Sequence, residues 1–158
     1  MKNVLKFLLM IPLFLLTSCN GGNETENLIK EININIPIDH SYSEIAQFQI
    51  TWSQMFDIES ESYFVYFYSE TCSHCVDLKN FIIEKALELQ TIYFVKSSNA
   101  DILSEDTISS INAGNSSEIS ILGYPSMIKI ENYVCIKNVA GISQIKSLLN
   151  WLLILLSN

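Results

Sequence analysis

Chemistry in this sequence concentrates at Cys72-Ser73-His74-Cys75. A three-residue step at the start of a helix puts two sulfurs on one face, one turn apart, near enough to close a small disulfide ring. A helix N-terminus also supplies unpaired N–H groups and a partial positive charge, and both stabilise a thiolate. Cys72 is therefore the expected attacking nucleophile and Cys75 the expected resolving thiol. His74 adds positive charge when protonated, which favours the reduced thiolate and moves the pair toward the oxidising end of the scale; Ser73 is expected to share in that tuning. A static disulfide staple and a copper site with His74 are the competing readings. The metal reading is weak, because a closed site needs three or four ligands and the sequence offers no second cluster of Cys and His. The expected state is no metal and no cofactor beyond a redox-active Cys72–Cys75 disulfide.

Such a pair works only if a rigid element delivers it, and the flanking sequence supplies one on each side. Tyr63-Phe64-Val65-Tyr66-Phe67-Tyr68 is a continuous apolar run, as expected of a central strand covered on both faces. Ser69-Glu70-Thr71 follows, with Thr71 or Ser69 as the expected N-cap of the next helix. Cys75, Leu78, Ile82, Ala86 and Leu89 make its buried stripe, and Thr91 to Val95 reads as a second buried strand. Strand, helix and strand in that order imply parallel pairing.

Further along, Met127–Ile130 and Tyr133–Ile136 flank a short turn at Glu131-Asn132, as in an antiparallel hairpin ended by Gly141, and a last helix is expected from about Ile142. Its tail, Leu148 to Leu156, is apolar on nearly every side, which suits packing against the sheet or contact with a partner or membrane surface. Upstream, Ile32, Ile34 and Ile36 alternate with asparagines as a first strand would. Ile45, Phe48, Trp52, Met55 and Phe56 fall at spacings that predict one amphipathic helix beginning near Ser43. The stretch 97–120 is polar, with only a weak helical pattern around Ile102–Ile111. His40 is isolated, and Cys135 sits in an apolar strand where a free cysteine acts as a small hydrophobe.

Taken together these features resemble the thioredoxin superfamily. Gly123-Tyr124-Pro125-Ser126, entering the hairpin, looks like that family's cis-proline loop. The resemblance implies an α/β fold with a central mixed sheet of about four to five strands flanked by helices. It also implies that Pro125 faces the cysteine pair and that the backbone of Tyr124 pairs with substrate. The Cys-x-His-Cys form is closer to disulfide oxidases and isomerases of oxidising compartments than to reducing thioredoxins. Two departures stand out: Thr71 replaces the usual Trp, and Tyr66 stands where thioredoxin keeps a buried acid.

Export is expected from the N-terminus. Lys2 and Lys6 precede the apolar run Phe7–Leu16, which at about ten residues is roughly half a membrane span. Leu16-Thr17-Ser18-Cys19 resembles the lipobox of bacterial lipoproteins, which implies residues 1–18 as signal peptide and a lipidated Cys19. Residues 19–30 then read as a flexible tether reaching roughly 15–20 Å, and residues 31–158 as the folded domain. Two acyl chains would hold it stably at the extracytoplasmic face of a cell membrane.

The 158 residues carry a net charge of −8, and all nine basic residues are lysine. An acidic chain without arginine is a poor match for nucleic acid, which wants basic clusters and bidentate forks. The expected partners are protein thiols or disulfides and a redox partner, with a monomer as the default state. The competing function class is a non-catalytic surface lipoprotein that uses the same fold as a binding module.

Overall fold

The computed structural model describes residues 38–98 and 100–156, with the backbone alone over 151–156. The expected signal peptide, the expected lipidation site Cys19, the expected tether and the strand expected at 32–36 lie outside the described residues.

Five strands form one sheet: β1 (Gln49–Ile50), β2 (Ser62–Tyr68), β3 (Ile92–Lys96), β4 (Ser126–Glu131) and β5 (Val134–Ala140), in the order β1-β3-β2-β4-β5. β3 runs parallel to both β1 and β2, whereas β4 is antiparallel to β2 and to β5. Among the described residues two α-helices accompany it, α1 (Ser73–Leu89) after β2 and α2 (Ile142–Leu156) after β5. β2 is central because it can afford to be: six of its seven residues are buried, and a strand with no polar face must be covered on both sides.

The pleat of β2 divides the core. Phe64, Tyr66 and Tyr68 face α1 and α2 and pack with Leu78, Ile82, Ile83, Ile145 and Leu149. Tyr63, Val65 and Phe67 face the opposite way, into a cluster with Trp52, Met55, Ile119, Ile121, Ile128 and Cys135. This second face is covered by 3-10 turns and loop from the 97–122 crossover instead of by a helix. Among its described residues the crossover contains short 3-10 segments at Ile108–Ser110 and Ser116–Glu118 and a parallel bridge between Leu103 and Ile121. Cys135 is fully buried there, and burial pushes its thiol up to about 11.

One sequence expectation is overturned. The single helix from Ser43 is two 3-10 segments, Tyr42–Phe48 and Trp52–Gln54, separated by β1. Each has its own capping box, Ser41 with Glu44 and Thr51 with Gln54, so two turns start where one helix was expected. Between them Gln49 and Ile50 pair with Phe94 and Val95. The apolar stripe consequently serves two faces: Ile45 packs on the helix side of the sheet, and Trp52 and Met55 on the other.

The hairpin turn falls one residue later than expected, at Asn132-Tyr133, both at positive φ (50° and 62°). That pair of left-handed residues is what a two-residue turn matching the strand twist requires. Gly141, at φ 88°, ends β5 and releases the chain into α2. The arrangement, with a mixed sheet and the cysteine pair at the β2–α1 junction, is the thioredoxin-like α/β fold expected from the sequence.

Candidate redox site

β2 ends at Tyr68 and the chain turns through Ser69-Glu70-Thr71 into α1, so the fully paired central strand aims the cysteines at the edge of the fold. The expected caps do not cap. The hydroxyls of Ser69 and Thr71 bond each other at 3.0 Å, and the N-cap is Cys72 itself, whose Sγ accepts the backbone N–H of Cys75 at 3.3 Å. A sulfur thus replaces the oxygen that ordinarily satisfies an orphan N–H of the first turn. The same Sγ donates to the carbonyl oxygen of Tyr124 at 3.3 Å. It therefore has a donor for its charged form and an acceptor for its protonated form.

Cys72 and Cys75 are both free thiols, the first half-buried and the second buried. Burial is the main cause that pushes the Cys75 thiol up to about 12, and the neighbouring Cys72 adds to it. The pair is thus divided by environment into one accessible sulfur and one that stays protonated under a cover. Ser73 and His74 are exposed at the start of α1. His74 borders a shallow depression of about 470 Å³ with Gly141, Ile142, Ser143, Gln144 and Lys146, at the start of α2. Glu70 is ion-paired with Lys96 at 2.8 Å on the exposed rim.

The Tyr124–Pro125 peptide is cis, as the resemblance implies, and it lies against Cys72. The loop is tied at both ends: Ser126 Oγ donates to Gly123 O at 2.6 Å, and Gly141 N–H donates to Pro125 O at 2.9 Å. A third tie was not legible in the sequence. The Tyr124 hydroxyl donates to the carboxylate of Asp101, from the polar 97–120 stretch. That contact raises the Tyr124 phenol further than its burial alone does. Nothing in the local pattern marks Asp101, because the bond spans the crossover.

The structure therefore brings Cys72, Cys75, Tyr124 and Pro125 together and leaves Ser73 and His74 on the solvent side. Cys135 is apart, in the cluster on the other face of the sheet. Among the described residues no group of three or more His, Cys, Asp or Glu side chains could hold a metal ion. No helix among them is long and apolar enough to cross a membrane.

No protein-family model matches the chain, and no curated protein matches it. Among solved structures it is similar to a thioredoxin from Plasmodium falciparum, at 16% identity and TM-score 0.43, with 65% of this chain and 95% of that one covered. It is also similar to thioredoxin f2 from Chlamydomonas reinhardtii, at 15% identity and TM-score 0.43, covering 66% of this chain and 94% of that one. Thioredoxin f from spinach chloroplast gives 14% identity and TM-score 0.44, with 63% and 78% covered. On its own topology the chain has a thioredoxin-like fold, with a cysteine pair at the head of the helix that follows the central strand.

Proposed function

We propose that the protein is a thiol–disulfide oxidoreductase acting on protein thiols and disulfides through Cys72 and Cys75. The observation that carries this reading is the division of labour at α1: a partly exposed Cys72 sulfur held between a backbone N–H and the Tyr124 carbonyl, over a buried Cys75 thiol. In the reducing direction Cys72 attacks a substrate disulfide, forming a mixed disulfide and expelling one substrate thiolate. Cys75 then attacks the Cys72 sulfur, the Cys72–substrate bond breaks, and the substrate is released reduced while the pair is left oxidised. The oxidising direction runs the same bonds in reverse.

The pair is expected to be a reversible couple, measured by equilibrating the full chain with glutathione buffers and trapping free thiols by alkylation. A potential of about −120 to −200 mV would make the chain a disulfide donor or isomerase, and one near about −270 mV a reductase. A pair that resists reduction below about −300 mV is a structural staple, and the proposal then fails.

The site of action proposed is the outer face of a bacterial membrane, with Cys19 as the lipidated anchor. Lys2 and Lys6, the apolar run after them and Leu16-Thr17-Ser18-Cys19 support it. Cys19→Ala is expected to move the protein from the membrane fraction to the soluble exported fraction. If the variant still sediments with membranes, another element is the anchor.

A further inference from the structure

Cys72 stands between two partners that favour opposite forms of its sulfur. The Cys75 N–H, at 3.3 Å, stabilises the thiolate, and the Tyr124 carbonyl, also at 3.3 Å, holds the thiol. The first partner belongs to the helix that carries both cysteines and is fixed with it. The second comes from a loop far along the chain, so the balance depends on how firmly that carbonyl is held.

The two backbone ties of the loop fall on either side of this group. Ser126 Oγ reaches Gly123 O and the Gly141 N–H reaches Pro125 O, and neither acts on the Tyr124 carbonyl or side chain. Gly123 adds no support: it sits at φ 154°, and a Cβ built there would meet no atom within 4 Å. Tyr124 is instead held by its own hydroxyl, which donates to the carboxylate of Asp101. Burial first, and then that contact, raise the phenol above its ordinary range, so it remains a donor.

Asp101 is itself fastened. Ser98 Oγ donates to Oδ1 at 2.7 Å and the Ser98 N–H to Oδ2 at 3.1 Å, the oxygen that also takes the Tyr124 hydroxyl. The N–H of the preceding Ser97 donates to Tyr68 O at 2.7 Å, where β2 ends and the turn to Cys72 begins. These hydrogen bonds close a circuit. It leaves the end of β2 through Ser97, Ser98 and Asp101, reaches Tyr124, and returns through the Tyr124 carbonyl to Cys72. A carboxylate suits the corner because it accepts all three bonds at once.

We propose that Asp101 is a positioning residue that sets the reactivity of resting Cys72: by holding the Tyr124 hydroxyl it keeps the Tyr124 carbonyl on the Cys72 thiol. The inference rests on the reading of Cys72 as the attacking sulfur. When the tie is cut, the carbonyl is no longer held, the thiol gives its proton to water more readily, and the thiolate stays on the Cys75 N–H. The other titratable groups about Cys72 are Glu70 with its partner Lys96 on the rim, His74 and Cys75 on α1, and Tyr42 and Tyr66 in the core. The variants below leave all of them in place.

The test is the rate at which iodoacetamide alkylates Cys72 in the reduced full chain at neutral pH, read by tandem mass spectrometry so that the other cysteines are counted apart. The thiolate is the form that reacts, so the rate follows the thiolate fraction. Asp101→Ala is expected to raise it by a factor of about three, the effect of losing one modest hydrogen bond to the thiol form. Tyr124→Phe cuts the same bond from its other end and should give the same factor, and the double variant no more than either alone. Asp101→Asn keeps an oxygen for the Tyr124 hydroxyl and should stay within about 1.5-fold of the parent. If Asp101→Ala does not fold, Tyr124→Phe and Asp101→Asn carry the test. Rates for Asp101→Ala and Tyr124→Phe at or below about 1.5 times the parent rate overturn the proposal, as do factors that multiply in the double variant. So does Asp101→Asn reacting as fast as Asp101→Ala, which would assign the effect to the charge of Asp101. A parent whose Cys75 is alkylated faster than Cys72 overturns the reading of Cys72 as the attacking sulfur instead.

Discussion

Cys72→Ser is expected to reduce disulfide exchange to background, a loss on the order of 10³-fold or more, equivalent to about 4 kcal/mol or more of barrier. The reason is specific to the geometry. Cys72 is the half-buried sulfur of the pair and the one within hydrogen-bonding distance of the Tyr124 carbonyl, whereas Cys75 is buried, with its thiol pushed up to about 12. Serine keeps an atom that can accept the Cys75 N–H, so the helix cap and the fold should survive. A hydroxyl cannot enter a disulfide. Cys75→Ser should behave differently, since attack by Cys72 remains possible and only release is lost. It should accumulate a mixed disulfide with substrate and yield a single equivalent of leaving thiol. Insulin reduction and thiol release together decide this. If Cys72→Ser keeps more than about a tenth of the parent rate, or if the two variants are indistinguishable, the assignment of roles is wrong.

Phe94→Ala is the substitution expected to cost the fold most. Phe94 is fully buried on β3, in register with Gln49 on one side and Tyr66 on the other. Its ring meets Tyr42, Tyr66 and Tyr68 edge-on, at 6.3, 5.6 and 6.3 Å. Removing a buried phenylalanine costs about 3–5 kcal/mol, and each aromatic contact of this kind about 0.5–1.5 kcal/mol beyond its area. Domains of this size hold about 5–15 kcal/mol in all. With a urea dependence of roughly 1–3 kcal/mol per molar, the midpoint should fall by about 2 M. Val76→Ala on the exposed side of α1, where the residue is 57% exposed, should change stability by less than about 0.5 kcal/mol. Equal effects for the two variants would show that the aromatic group is not the centre of the core.

The parts of this architecture that could be read from the sequence are those whose burial follows a local period. The unbroken apolar run of β2 and the stripe from Cys75 to Leu89 in α1 carry their environment in adjacent residues, and the structure buries Tyr63 to Tyr68 and the stripe from Cys75 to Ala86, with Leu89 partly buried at its end. The stripe from Ile45 to Phe56 misled because periodicity records which side chains are buried and not which face of the sheet buries them. There the chain passes the edge of the sheet, and a two-residue strand splits a helical pattern into two halves. Cys72 as its own helix cap was hidden by the more conventional oxygens of Ser69 and Thr71, which satisfy each other instead. Asp101 had no signal at all, because its partner Tyr124 arrives only when the crossover closes over the sheet.

The sulfur that caps α1 is also the sulfur expected to react. Chemistry and local structure therefore share one atom, and whatever is attached to Cys72 is registered by the amide of Cys75. An adduct there competes for the lone pair that holds the first turn, so the redox state of the pair should be readable as protection or exchange of a single backbone proton, far from any change in overall shape. The helix start becomes a reporter of its own reaction.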